Sequence, residues 1–406
     1  MKRLALLLSL LLLAAPAWAA QDSVATGKEP IKIGEISEAK FWNLMAVNQR
    51  RGFELALEDI NAKGGVLGRP LEMISRDGGD GSPEQVLRDV EELVTRQGVQ
   101  LLLGTGADNV SLAVSSYAKQ HGVLFLKALN GTNKQIWEEG HDLAFRFDVP
   151  NYMFGGALAE AAAKLPAKRW AFVAPDYEFG HSLVAEFQKA LKLRRPDVEF
   201  VATQYHPTLK IDAGAVVSAL KHANPDAIFV CNFASDAAQF IRQGKVRGLF
   251  ENRSVVSVLL GQPEGGLGPI GKEAPMGWIT QGYPLDEITT PAHKEFLAKY
   301  RVKYNADPGW FSFTGYNAMI SMAKAIEKAG STEPHAVAAA MKGMTFDSLV
   351  GPITYRASDN QSNLGLWVGK IGLKNGKPAL VDWMYESGDN FYPGDDYVKT
   401  VRPQQK

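Results

Sequence analysis

Two short polar loops carry the clearest binding chemistry in this sequence. Gly104-Thr105-Gly106-Ala107-Asp108-Asn109 follows the apolar run Val99 to Leu103 and opens a stretch of helical period. Backbone N–H groups left free at such a start, with the helix dipole behind them, suit a carboxylate. The third glycine of a dinucleotide fingerprint is missing and Asp108 would oppose a pyrophosphate, so nucleotide binding is not expected. The bland reading is that Asp108 only caps the helix. The second loop, Asn130-Gly131-Thr132-Asn133, offers a threonine hydroxyl between amides, although an ordinary Asn-Gly turn needs the same residues. Aromatic side chains stand in comparable loop positions: Phe41 and Trp42 after the first apolar run, Tyr177 and Phe179 before a helix, and Phe233 at the end of a strand-like run. Leu259-Leu260-Gly261-Gln262 ends another such run. Stacking walls with a few polar groups hold small molecules, and the alternative for each aromatic is that it simply packs.

Reactive chemistry is poorly represented. No Gly-x-Ser-x-Gly elbow, His-Glu-x-x-His pair or Gly-Lys-Ser/Thr phosphate loop occurs, and the seven histidines are scattered without metal-ligand spacing. The single cysteine, Cys231, lies in the apolar run Ala227 to Phe233 and reads as a buried strand thiol, which leaves no intramolecular disulfide. Lys plus Arg and Asp plus Glu balance at 44 each, giving no electrostatic reason for nucleic acid or an anionic membrane as partner. No cofactor, no metal and no catalysis are expected.

These loops need a frame. Lys2-Arg3, the apolar run Leu4 to Ala15 and Ala17-Trp18-Ala19 read as a signal peptide, 1–19, cut near Ala19 or Ala20. The run is too short to span a bilayer, and Ala20-Gln21 rather than cysteine follows it, so a lipoprotein is not expected. Beyond it, apolar runs alternate with helical periods, the pattern of parallel sheets covered by helices. Ile31 to Ile36 reads as a strand. Phe53, Ala56, Leu57 and Ile60 then fall on one helical stripe ended by Gly64-Gly65. Ser82, Pro83 and Gln85 announce the next helix. Pro150 marks a break, and a second βα series begins at Trp170 and runs to Leu260. Late helical patterns around Phe296 to Tyr304 and Phe313 to Ile326 need a sheet to cover, which implies two α/β lobes with the chain crossing between them more than once.

The segment from Gly52 to Leu71, with its Asp59-Ile60-Asn61-Ala62-Lys63-Gly64-Gly65 helix exit, resembles the type I periplasmic solute-binding proteins of ABC importers, the leucine-binding protein (branched-chain amino acid) family. Pro175 to Gly180 resembles the aromatic-Gly turn opening that family's second lobe, and Phe313 to Ala318 its aromatic-rich late helix. The resemblance implies a type I periplasmic binding protein fold: α/β, two doubly wound Rossmann-like lobes joined by three hinge crossovers, placed near Val149, Trp278 and Pro352. Lobe 1 is then 31–148 plus 279–351, and lobe 2 is 149–278 plus 352–392. It also implies a ligand site of Trp42, Asp108, Asn109, Asn130, Thr132, Tyr177, Phe179, Phe233 and Gln262 at the carboxyl ends of strands. Two positions depart from the family's pattern. Asp108 stands where a small hydroxyl residue is usual, and Leu259 to Gln262 lacks the acid that meets a ligand ammonium. Either Asp108 or Asp176 takes over that role, or the ligand has no ammonium. The implied function is capture of a small organic solute, an amino acid of branched-chain or aromatic type or an aromatic or aliphatic carboxylate, by a periplasmic monomer that docks on ABC permease subunits. The alternative is a binding protein presenting its solute to a membrane sensor or chemoreceptor.

Overall fold

A computed structural model describes residues 28–403 except 41, 80 and 130, so the expected signal peptide lies outside the described residues. Along the chain come β1 (Ile31–Ser37), α1 (Asn43–Ala62), β2 (Leu71–Asp77), α2 (Pro83–Thr95), β3 (Leu101–Gly104), α3 (Asp108–His121), β4 (Leu124–Lys127) and β5 (Ala144–Arg146). These strands form one parallel sheet in the order β2-β1-β3-β4-β5. All four residues of β3 and of β4 are buried, because helices cover both faces of a parallel sheet. Ser82 caps α2 by accepting the Gln85 N–H, with Pro83 at the first helical position.

The chain continues through α4 (Asn151–Ala163), β6 (Arg169–Pro175), α5 (Glu178–Arg194), β7 (Glu199–His206), α6 (Ala213–Ala223), β8 (Ala227–Val230), α7 (Ala234–Val246), β9 (Ser254–Gly261), the single turn α8 (Gly268–Ile270) and β10 (Ile279–Gly282). After α9 (Pro291–Tyr304), α10 (Trp310–Ala329), α11 (Pro334–Met341) and the hairpin β11 (Thr345–Ser348) and β12 (Gly351–Thr354), it returns as β13 (Leu366–Lys374) and β14 (Lys377–Glu386). The second sheet has the order β14-β13-β10-β9-β8-β6-β7, with β13 and β14 antiparallel additions to a parallel centre. The fold is therefore α/β with two lobes. Ile279–Gly282 pairs between β9 and β13, so the chain leaves the second sheet after Gly282 rather than at Trp278. Cys231 is buried immediately past β8.

Helix α10 returns to the first lobe and lies against α1. The two backbones meet through glycines: a Cβ on Gly52 would sit 2.1 Å from the Ser312 carbonyl oxygen, and one on Gly315 would sit 2.4 Å from that of Gln49. Gly52→Ala gains roughly 1 kcal/mol of helix propensity, but a backbone carbonyl cannot rotate away and overpacking costs about 1–3 kcal/mol. The variant is expected to be less stable by up to about 2 kcal/mol in urea unfolding, and a raised midpoint would contradict this packing.

Between the sheets the chain is packed with rings. Trp310 of α10 meets Trp367 of β13 at 5.8 Å, Tyr283 meets Phe313 at 5.5 Å, and Trp310 Nε1 donates to Asp148 Oδ2 at 2.9 Å. Beyond β14 the chain turns back to the first lobe. In α12 (Asp395–Val401), Val398 packs with Ile136 and Trp137. Arg402 donates to the carbonyls of Ile136 at 2.8 Å, Asp359 at 2.6 Å and His141 at 2.9 Å.

Candidate functional site

In each sheet the strand order reverses at one place, between β1 and β3 in the first and between β6 and β8 in the second. Open α/β sheets present ligand sites at the carboxyl ends of strands flanking such a switch point. From the first lobe those ends carry Glu38 after β1 and the 104–108 loop after β3. From the second they carry Tyr177 after β6 and Phe233 after β8, with Gln262 following β9.

The two sets face each other across an aromatic-walled cleft. Trp42 lies 5.4 Å from Phe233 and 6.5 Å from Tyr177 between ring centres, while Phe179 lies 6.0 Å from Tyr177 and 6.2 Å from Phe233. A cavity of about 270 Å³ is walled by Trp42, Asn43, Leu44, Met45 and Phe311 from the first lobe and by Leu209, Phe233, Leu259 and Gln262 from the second. Beside it a space of about 30 Å³, room for a water, is lined by Met45, Gly106, Asp108, Leu129, Tyr177, Phe179, Phe233 and Leu259. A wider groove of about 600 Å³ elsewhere includes Glu287 and Lys374, which pair at 2.8 Å, and draws no wall from the 104–109 or 131–133 loops.

The start of α3 is already occupied from within. Glu38 accepts the Gly106 N–H at 2.7 Å and the Ala107 N–H at 3.3 Å, so its carboxyl fills the place where the sequence suggested a bound carboxylate. It is buried, and burial pushes it up to about 7 against the downward pull of those N–H groups and of Lys127. Asp108 is likewise engaged. Its Oδ1 meets Lys127 Nζ at 2.6 Å and its Oδ2 accepts the Thr132 N–H at 2.9 Å, while Lys127 also donates to Ser111 Oγ at 3.0 Å. Both members of this ion pair are buried, and burial holds the Lys127 ammonium below its usual range. Gly131 permits the arrangement, since a Cβ there would lie 1.8 Å from Asp108 Oδ1. Arg146, wholly buried and lowered to about 10 by burial, donates to the Gly131 carbonyl at 3.0 Å and to Gln135 Oε1 at 3.2 Å.

Thr132 points across the cleft. Its hydroxyl donates to Glu178 Oε1 on α5 at 2.7 Å, Lys134 pairs with the same carboxylate at 2.9 Å, and Asn133 Nδ2 donates to Glu186 Oε1 at 2.8 Å. These contacts join a first-lobe loop to a second-lobe helix.

The structure thus gathers Trp42, Asp108, Tyr177, Phe179, Phe233 and Gln262 around the two cavities, while Thr132 lines neither and is tied to Asp108 and Glu178. Asn109 is exposed and lines neither cavity, because it follows Asp108 by one helical residue, a rotation of about 100°. Asn130 and Phe41 lie outside the described residues. Asp176 is exposed and pairs with His181 at 2.8 Å, so it does not supply the acid expected for a ligand ammonium. Sequence reasoning missed Glu38, Met45, Lys127, Leu209 and Phe311. Lys127 had a signal, a lone cation closing the apolar run Leu124 to Leu126, and Glu38 had another, an acid directly after the first strand.

The periplasmic binding protein family profile matches residues 43–377. The Leu/Ile/Val-binding protein homolog 7 of Brucella abortus (strain 2308) is 23% identical over 348 residues, covering 82% of this chain and 85% of that protein. The leucine-, isoleucine-, valine-, threonine-, and alanine-binding protein of Pseudomonas aeruginosa PAO1 is 26% identical over 322 residues, with 79% and 84% covered. In fold the chain is similar to an ABC transporter solute binding protein from Rhodopseudomonas palustris BisB5 in complex with 3,4-dihydroxybenzoic acid. That likeness has a TM-score of 0.78 and 22% identity, and covers 89% of this chain and 98% of the other.

Proposed function

The chain belongs to the periplasmic binding protein family, whose members bind a solute without transforming it, and on that premise we propose that it is the solute-capturing component of an ABC importer. In this reading 1–19 directs export and is removed, and the mature chain works in the periplasm as a monomer. It closes its lobes on one small organic solute and presents the closed form to permease subunits in the inner membrane. The lobes divide near Val149, after Gly282 and between Ser362 and Leu366 rather than at Pro352, because residues 360–362 still bond to Arg146 of the first sheet. The observation that carries the reading is the cavity of about 270 Å³ whose walls come from both lobes, since a solute held there has more contacts in the closed state and so stabilises it. Trp42, Phe179, Phe233 and Leu259 favour an aromatic or branched aliphatic body, with Gln262 for its polar end.

The test is thermal unfolding and small-angle scattering of the mature chain with branched and aromatic amino acids, benzoate, and their amides. A solute at about 100 times its dissociation constant adds roughly 2.7 kcal/mol of stability. It should also compact the chain and be recovered chemically unchanged. Phe179→Ala is expected to weaken the best solute by about tenfold or more. A solute released as a different compound, or scattering that stays the same at saturation, would defeat the proposal.

A further inference from the structure

Among the described residues, a solute entering this cleft meets no unsatisfied charge of either sign. The free N–H groups opening α3 would be the natural seat for an anion, but the Glu38 carboxylate sits on those of Gly106 and Ala107 at 2.7 and 3.3 Å. A solute carboxylate would find that seat already filled by the Glu38 side chain. Among the described residues lining the two cavities there is no lysine or arginine, and nearby Lys127 is committed to Asp108 at 2.6 Å and Ser111 at 3.0 Å. The guanidinium of Arg146 is turned to the Gly131 and Thr132 carbonyls. A solute ammonium fares no better. Asp108 is the one acid among those described lining residues, and its two oxygens are taken by Lys127 and by the Thr132 N–H. Glu178 is held by Thr132 and Lys134.

A buried neutral group remains open to the solute. Gln262 is fully buried and lines the larger cavity. Gln281 Nε2 donates to the Gly282 carbonyl at 3.3 Å, which turns Gln281 Oε1 toward Gln262 Nε2 at 2.9 Å. The side-chain oxygen of Gln262, Oε1, is thereby left without a partner among the described residues. A buried acceptor in that state favours a solute that brings an N–H or O–H to it.

Building on the solute-capture reading, we infer that the solute is electrically neutral, an aromatic or branched aliphatic molecule with a hydrogen-bond donor such as a primary amide or alcohol. We infer also that Glu38, by filling the anion seat at the start of α3, is the residue that rejects carboxylates and amino acids. Specificity of this kind is made by what the site repels as much as by what it holds.

The test is titration calorimetry of the mature chain with matched pairs: benzamide against benzoate, and isovaleramide against isovalerate and leucine. The amide of each pair should bind at least about tenfold more tightly than its charged counterpart. Glu38→Ala empties the seat and should improve benzoate affinity by about tenfold or more, whereas Glu38→Gln keeps it filled and should not. Circular dichroism of both variants checks that they fold, and the wild-type comparison does not depend on either. Equal or tighter binding of the carboxylates by the wild type overturns the inference while leaving solute capture intact, and so does a folded Glu38→Ala chain that gains no benzoate affinity. Conversion of benzamide to benzoate during titration, read by mass spectrometry, would instead overturn solute capture.

Discussion

Asp108→Ala is expected to lower folding stability by about 3–5 kcal/mol, the cost of leaving a buried ion without its partner. The ion in question is Lys127, fully buried, which among the described residues would keep the Ser111 hydroxyl as its remaining hydrogen-bond partner. The Arg146 guanidinium already repels that ammonium, and removing Asp108 leaves Glu38 as the charge that opposes the repulsion. The same substitution frees the Thr132 N–H and with it the loop that reaches Glu178, so stability and solute affinity should fall together. Because the penalty belongs to the unpaired charge rather than to lost attraction, Asp108→Leu combined with Lys127→Met should recover most of the stability, to within about 1–2 kcal/mol. Urea unfolding of the single and double variants decides the matter. A loss below about 1 kcal/mol in the single variant would mean that the pair is not dry.

The second large effect depends on pH and belongs to Glu264. This acid comes from the loop after β9 yet lies against the N-terminus of α10 in the other lobe, so close that a Cβ on Gly309 would fall 1.8 Å from its carboxyl carbon. Burial raises it from 4.5 to about 8, although the N–H groups of Phe311, Ser312 and Trp310 pull the other way. Between those values the folded chain holds a proton that the unfolded chain has released. Stability therefore falls as pH rises through that window, by up to roughly 5 kcal/mol from this group. Glu264→Gln cannot ionise. It should match the wild type near pH 4.5 and exceed it by several kcal/mol at about pH 9, as read from urea midpoints across the range. Glu38, raised to about 7, acts in the same sense and leaves a residual slope in the variant. A variant that was less stable than the wild type at the alkaline end would refute the assignment.

The central strands were legible because burial on both faces writes itself as continuous apolar runs, as in Leu101 to Leu103 or Ala227 to Cys231. The stripe Phe53, Ala56, Leu57 and Ile60 gave α1 for the complementary reason. Helix α4 was not read, since Met153, Phe154, Leu158 and the alanines and glycines between them are buried nearly all round and leave no polar face to set a period. Strand β10 escaped notice because its four residues are recruited by neighbours rather than by their own pattern. The aromatic side of the cleft was visible because rings placed just beyond strand ends have few other destinations. Its electrostatics were not. Glu38 meets Gly106 and Ala107 from 68 and 69 residues away, and Lys127 meets Asp108 across 19. Nothing local distinguishes a carboxylate that will be spent inside the protein from one left for a guest, and so the open question over the ammonium could be framed from the chain but turns on the geometry around it.

The return of the C-terminus to the first lobe bears on how far the jaws can part. Arg402 ties three carbonyls there while the strand before it, β14, belongs to the opposite sheet, so the short stretch from Ser387 to Gly394 works as a leash beside the hinge. Any gape wider than that stretch can reach must tear Arg402 from its carbonyls, and an affinity tag fused at the end of the chain hangs from the half that carries α3, whatever its partner half is doing.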